Sequence, residues 1–172
     1  MTSEEIFLKF SADKLEQLDS RIQDCLGRLT PEQVWIRNSD NENAVGNLVL
    51  HLAGNVRQWI GSGIAGLPDH RQRDSEFDAR GGMAPTELAE LLKNRVAEAV
   101  SIIREVPAAR LRERILPQGY DVTALEAIAH VVEHFSMHTG QIILLTKMLT
   151  GEDLAYYQYL KGVGRAAGAP LP

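Results

Sequence analysis

The chain has 172 residues, a length that suits one domain with a sizeable core, and no apolar run approaches the roughly 20 residues a membrane span needs. A net charge of -5 argues against a nucleic-acid-binding surface and leaves small molecules or proteins as partners. The single cysteine, Cys25, excludes an internal disulfide framework and suits a reducing compartment; with an acidic rather than basic start after Met1, the expectation is a soluble, cytoplasmic protein.

Ser3 is the expected cap of a first helix, with Glu4 and Glu5 complementing its dipole. Leu8, Ser11, Leu15, Leu18, Ile22, Cys25 and Leu29 then step by three and four, the mark of a long amphipathic helix. Cys25 lies on that stripe and reads as core, since nothing nearby would depress a thiol pKa. Thr30-Pro31-Glu32-Gln33 starts a short turn that Trp35 would anchor.

After a polar loop, Asn43 can cap a second helix over residues 44–60, stopped by Gly61. Its inward residues would be Leu48, His51 or Leu52, Asn55 and Trp59. His51 is readable as a core histidine bonded to a carbonyl or as a metal ligand. Residues 61–85 break the pattern, with six glycines and prolines before the closing Pro85. Such a segment is either a solvated surface loop or a functional loop or lid. In the functional reading Arg71 or Arg73 pairs with an acidic substrate or with Glu76, while His70 stays at the surface.

A third helix over residues 86–106 carries the stripe Leu88, Leu92, Val96, Ala99, Ile103 and Val106, and Pro107 ends it. Arg110, Arg112 and Arg114 read as a solvated face. Thr123 and Glu126 form a capping box, so a fourth helix runs from about Ala124 to Thr150, closed by Gly151. Tyr156, Tyr157 and Tyr159 would pack the tail onto the bundle, and residues 162–172 would form a mobile end.

Chemistry concentrates on the fourth helix. Residues four apart on a helix lie roughly 40° from each other, so His134 and His138 share a face at a spacing that lets two imidazoles bind one ion. Val131, His134, His138, Gln141, Leu145 and Met148 form the expected inward stripe. Burying such polar groups without partners would cost about 1–3 kcal/mol each, a cost that a metal ion would offset. Gln141 could orient a ligand, or hold His51 or nearby backbone. Glu133 points away, so no carboxylate stands out as a general base. His130, one turn before the pair, could compete as a ligand; a place at the bundle's edge on a subunit interface is favoured. Four long amphipathic segments without a convincing strand indicate an all-α four-helix bundle, as one domain over residues 1–172. The long irregular connection between its second and third helices is long enough to cross the bundle.

The run from Gly46 through His51 to Asn55, the loop from Arg71 through Glu76 to Phe77, and the stretch from His134 to Gln141 resemble the DinB/YfiT-like four-helix-bundle family of metal-dependent bacterial proteins, an uncharacterised DinB-like subgroup above all. The resemblance implies a divalent metal (zinc, nickel or iron) on one histidine of the second helix and two of the fourth: His51, His134 and His138. It also implies a low-molecular-weight thiol such as bacillithiol or mycothiol as partner for some members, while the family's DNA-damage-inducible label refers to expression and does not imply DNA binding. Three neutral imidazoles would leave the ion its full charge, able to ionise water or a thiol at an open position. Three functions follow as expectations: a metal-dependent thiol S-transferase or hydrolase acting on a small electrophile, a metal- or ligand-binding bundle without turnover, or a structural helical homodimer whose histidines only hydrogen-bond. A homodimer is expected in any case.

Overall fold

A computed structural model describes residues 1–158. Tyr159 and the expected mobile end at residues 162–172 lie outside the described residues. Four long helices carry the architecture: α1 (Ser3–Leu26), α2 (Val45–Val56), α4 (Pro85–Glu105) and α5 (Ala124–Thr150), with a short α3 (Arg73–Asp78) between α2 and α4. The fold is an all-α four-helix bundle. None of the described helices is long and apolar enough to cross a membrane.

Local chemistry sets the helix ends. The cap of α1 is Thr2 rather than Ser3, because Thr2 and Glu5 close a reciprocal capping box. Likewise Ala44, not Asn43, precedes α2: the Asn47 side chain accepts the Ala44 N–H at 3.1 Å and satisfies the helix start from inside. The second helix also continues past Gly61, widening into a π-helical turn over Arg57–Ser62. Thr123 and Glu126 cap α5 as expected, and Gly151 ends it at φ 71°, the left-handed conformation glycine takes without strain.

The expected apolar stripes of α1 and α4 are buried and meet those of α2 and α5 in one core. Around the bundle α1 packs against α4 and α5, and α2 packs against the same two. The long connection between α2 and α4 therefore joins neighbours and does not cross the bundle. The crossings are made instead by residues 27–44 and 106–123, which link helices on opposite corners. The second of these contains a strand pair, β1 (Arg114–Ile115) against β2 (Val122–Thr123), which the sequence reading missed because two residues per strand carry no period.

Cys25 is fully buried, its thiol 3.5 Å from the Tyr156 hydroxyl. Tyr156 donates to the Arg21 carbonyl and to Asp24, which docks the chain after α5 onto α1. Trp35 fastens the first connection by donating its indole N–H to the Met83 carbonyl at 2.9 Å. Arg110, Arg112 and Arg114 pair with Glu113, Glu4 and Asp121, as befits a solvated face.

Candidate metal centre

Because α2 and α5 are neighbours, His51 meets the pair on α5. His134 Nε2 lies 3.0 Å from His51 Nε2 and 3.1 Å from His138 Nε2, and one nitrogen from each ring falls within 4.8 Å of the others. His51 is 5% exposed; His134 and His138 are half-buried. The two α5 histidines flank the inward face rather than occupying its centre. The fully buried line runs through Ile128, Val131, Phe135, Thr139, Ile142 and Thr146, leaving Gln141 exposed, Leu145 partly covered and Met148 67% exposed. Phe135 and its aliphatic neighbours bury more apolar area than the expected stripe would, and this sets the helix rotation.

Each outer ring is held from behind. Glu76 Oε2 accepts from His51 Nδ1 at 3.0 Å, and Gln141 Oε1 accepts from His138 Nδ1 at 2.6 Å. Glu76 is itself clamped by Arg71, whose Nε and Nη2 donate to its two oxygens at 2.7 and 2.8 Å. Arg71 is buried at 4% exposure and also donates to Gln58. Burial by itself would raise the Glu76 carboxyl; hydrogen bonds from Arg71 and His51 outweigh it and hold the pKa below the ordinary value. The carboxylate thus stays an acceptor and favours the tautomer with the proton on His51 Nδ1, although Arg71 Nη2, 3.1 Å from the same nitrogen, can donate to it in the other tautomer.

That protonation pattern decides what the cluster can hold. With protons on the Nδ1 atoms of His51 and His138, both of their Nε2 atoms present lone pairs toward His134 Nε2. A proton on His134 Nε2 can serve one of them and not both. On Nδ1 that proton would find nothing, since His134 Nδ1 is buried without a partner. Either way lone pairs face one another, and a cation among them removes the conflict. A proton is a poor candidate, because burial, followed by the charges His138 and His51 would carry, pushes the His134 pKa down to about 3. Burial also lowers His138, against the opposing hydrogen bond from Gln141. Nitrogen ligands at tetrahedral zinc stand about 3.3 Å apart, close to the spacings here. Three imidazoles placed in this way could hold a metal ion, and the donor set suits a borderline divalent one.

Of the other residues singled out by sequence, His130 does not join the convergent group. Its ring lies 5.4 Å from that of His134 and packs on Trp59 at 4.1 Å, half-buried. His70 is exposed, as expected. Of the two loop arginines, Arg71 takes Glu76, whereas Arg73 lies over the Phe77 ring at 4.8 Å. Phe77 in turn packs on His51 at 4.6 Å. The segment once open to reading as a free loop is thus fastened over the site, further held by Asn47 Nδ2 donating to the Glu76 and Ala79 carbonyls. Sequence reasoning considered Glu76 as an arginine partner and missed it as the partner of His51. One signal was present: Gly54, three residues after His51, leaves a gap on the same face, and a Cβ there would stand 2.0 Å from Glu76 Oε1.

Beside the cluster opens a cavity of about 480 Å³ bordered by His51, His134, Asn55, Trp59, Arg73 and Tyr120, a size suited to a small molecule.

Comparison with known proteins agrees with this architecture. A DinB-like protein from Bacillus subtilis, YjoA, superposes with a TM-score of 0.65 at 15% identity, covering 86% of this chain and 96% of its own. A conserved protein from Enterococcus faecalis gives 0.60 at 17% identity over 84% and 97%. A DinB-like protein from Bacillus cereus gives 0.61 at 15% identity over 76% and 85%. At such identities the likeness establishes the fold alone, which is DinB-like. No curated protein matches the chain. The family model described as "Protein of unknown function (DUF1572)", itself DinB-like, matches residues 2–162, and the chain belongs to that family.

Proposed function

We propose that this protein is a metal-dependent enzyme that holds one divalent ion (zinc, nickel or iron) on His51, His134 and His138. It transfers a low-molecular-weight thiol to a small electrophilic substrate, or hydrolyses that substrate, in the adjoining cavity. The observation that carries the reading is the meeting of three Nε2 lone-pair positions beside a cavity of molecular size. When bound, such an ion supplies Lewis acidity, enough to ionise a thiol or water at neutral pH. The chain's own residues do the rest. Glu76 and Gln141 keep protons on the outer nitrogens of His51 and His138, which leaves the inner nitrogens free to bind. Trp59 and Tyr120 give the cavity an aromatic wall against which a substrate can lie.

A second reading, a metal- or ligand-binding bundle without turnover, is favoured by one observation. The carboxylate nearest the cluster, Glu76, has both oxygens engaged by Arg71 and His51, so it is not free to take a proton from substrate. Incubating the metal-loaded protein with 1-chloro-2,4-dinitrobenzene and bacillithiol, mycothiol, glutathione or coenzyme A separates the two. Conjugation that is lost in His138→Ala supports the enzyme; thiol binding without conjugation supports the second reading. Absence of bound metal after chelator-free purification, with no stabilisation by added zinc or nickel, would leave only a structural role. We also propose a homodimer, supported by Met137, Leu144 and Met148, which form one exposed apolar line along α5; sedimentation equilibrium tests it. A cytoplasmic location is likewise our reading, supported by the buried free thiol of Cys25.

A further inference from the structure

Asn55 lies one turn after His51 on α2, on the same face, and borders the cavity. It is 4% exposed, yet among the described residues its carboxamide hydrogen-bonds to nothing. The amide opens on the cavity rather than on packed core, where a ligand can supply its partners, and the Trp59 indole N–H on the same lining is buried without one. Across the cavity wall Arg73 makes no ion pair among the described residues; its guanidinium rests on Phe77, which rests on His51. The other full charge on the lining, Glu126, is occupied in capping α5, its Oε2 accepting from the Thr123 N–H and hydroxyl at 2.7 and 2.8 Å. Gln118 and His130 also border the cavity, and its flat part is aromatic: Trp59 and Tyr120 lie with ring planes 26° apart at 6.2 Å, and Val122 sits beside them.

We infer that the cavity seats a small organic acid, its carboxylate taken by the Asn55 amide N–H and the Arg73 guanidinium, and its flat unsaturated body laid along Trp59 and Tyr120. This deepens the proposed function by naming the electrophile's class, and it rests on that reading for the placement of the acid beside the three histidines. Charge makes the same selection. Three neutral imidazoles leave a bound ion its positive charge, and Arg73 adds another, so the field at the cavity favours an anion. Guanidinium and amide N–H donors are suited to a carboxylate, and hydrogen bonds to charged acceptors are the stronger kind.

The test is calorimetric titration of the full-length, metal-loaded protein with trans-cinnamate and with its neutral counterpart trans-cinnamamide. Cinnamate is expected to bind about tenfold more tightly than the amide. Arg73→Gln and Asn55→Ala should each weaken cinnamate about tenfold while leaving metal content unchanged, and Arg73→Gln should leave the amide unaffected. Asn55→Asp, nearly the same size but negatively charged, should abolish cinnamate binding; retained metal content and melting temperature show that it folds. Equal binding of the two probes, binding of neither, or cinnamate affinity indifferent to all three variants (as when the carboxylate meets only the metal) would overturn the inference. Metal content read in the same samples judges the three-histidine reading separately, because Asn55 and Arg73 are not among its ligands.

Discussion

Glu76 Oε2 stands 3.0 Å from His51 Nδ1, across 25 residues of chain, and this contact joins the loop between α2 and α4 to the candidate metal centre. A carboxylate behind a histidine fixes the ring's tautomer and raises its donor strength. Arg71, buried with Glu76, keeps that carboxylate ionised and in place.

His51→Ala, His134→Ala and His138→Ala should each remove most of the bound metal, measured by elemental analysis after purification without chelators. His130→Ala should leave metal content near the wild-type value, because its ring packs on Trp59 outside the convergent group. Loss of metal in His130→Ala alone would overturn the ligand assignment.

Glu76→Gln is expected to weaken metal binding by about 10- to 100-fold, the range typical of lost outer-shell partners. It also leaves Arg71 buried without its counter-charge, a change that costs about 3–5 kcal/mol in stability. The double variant Arg71→Met/Glu76→Gln should recover part of the stability in urea titrations but none of the metal affinity. Recovery of both would show that Glu76 matters only for packing.

At Gly54 any side chain meets the ion pair, with a Cβ 2.0 Å from Glu76 Oε1 and 2.9 Å from Arg71 Nε. Gly54→Ala should therefore lower stability by about 1–3 kcal/mol and weaken metal binding together. Combined with Glu76→Gln, it should add little further loss of metal affinity, since both variants disturb one contact. Full additivity in the double-mutant cycle would place the effect of Gly54 elsewhere.

Acid should act on the metal-free protein with a defined sign. The folded chain holds His134 at about 3, whereas the unfolded chain takes up that proton near the ordinary 6.5. Between these values the unfolded state binds more protons, so stability is full above about pH 6.5 and falls as pH drops toward about 3. His138, also held low in the fold, contributes in the same direction. Urea midpoints measured at about pH 7.5, 5.5 and 4 should decrease in that order. In the loaded protein, protons compete for the same nitrogens, and metal should leave below about pH 6. Retention at about pH 4 would assign other ligands.

Much of the bundle is written in short-range pattern. The stripe from Leu8 to Leu29, the Thr123–Glu126 capping box, the Gly151 stop and the i, i+4 pair of His134 and His138 all depend on residues within a few turns of one another. Helices form through hydrogen bonds and caps of that range, so their chemistry can be read along the chain. His51 was legible as a third imidazole on a separate helix, though spacing alone left it open between core residue and ligand. Packing then decided what no local pattern could. It set α2 beside α5, which brings His51 to the pair, and it rotated α5 about Phe135, so that the histidines border a cavity instead of filling the core. The same packing folded the 61–85 segment back, and Arg71 and Glu76 became the support of His51. These contacts span tens of residues, and their free energy comes from surfaces that exist only once the helices have met.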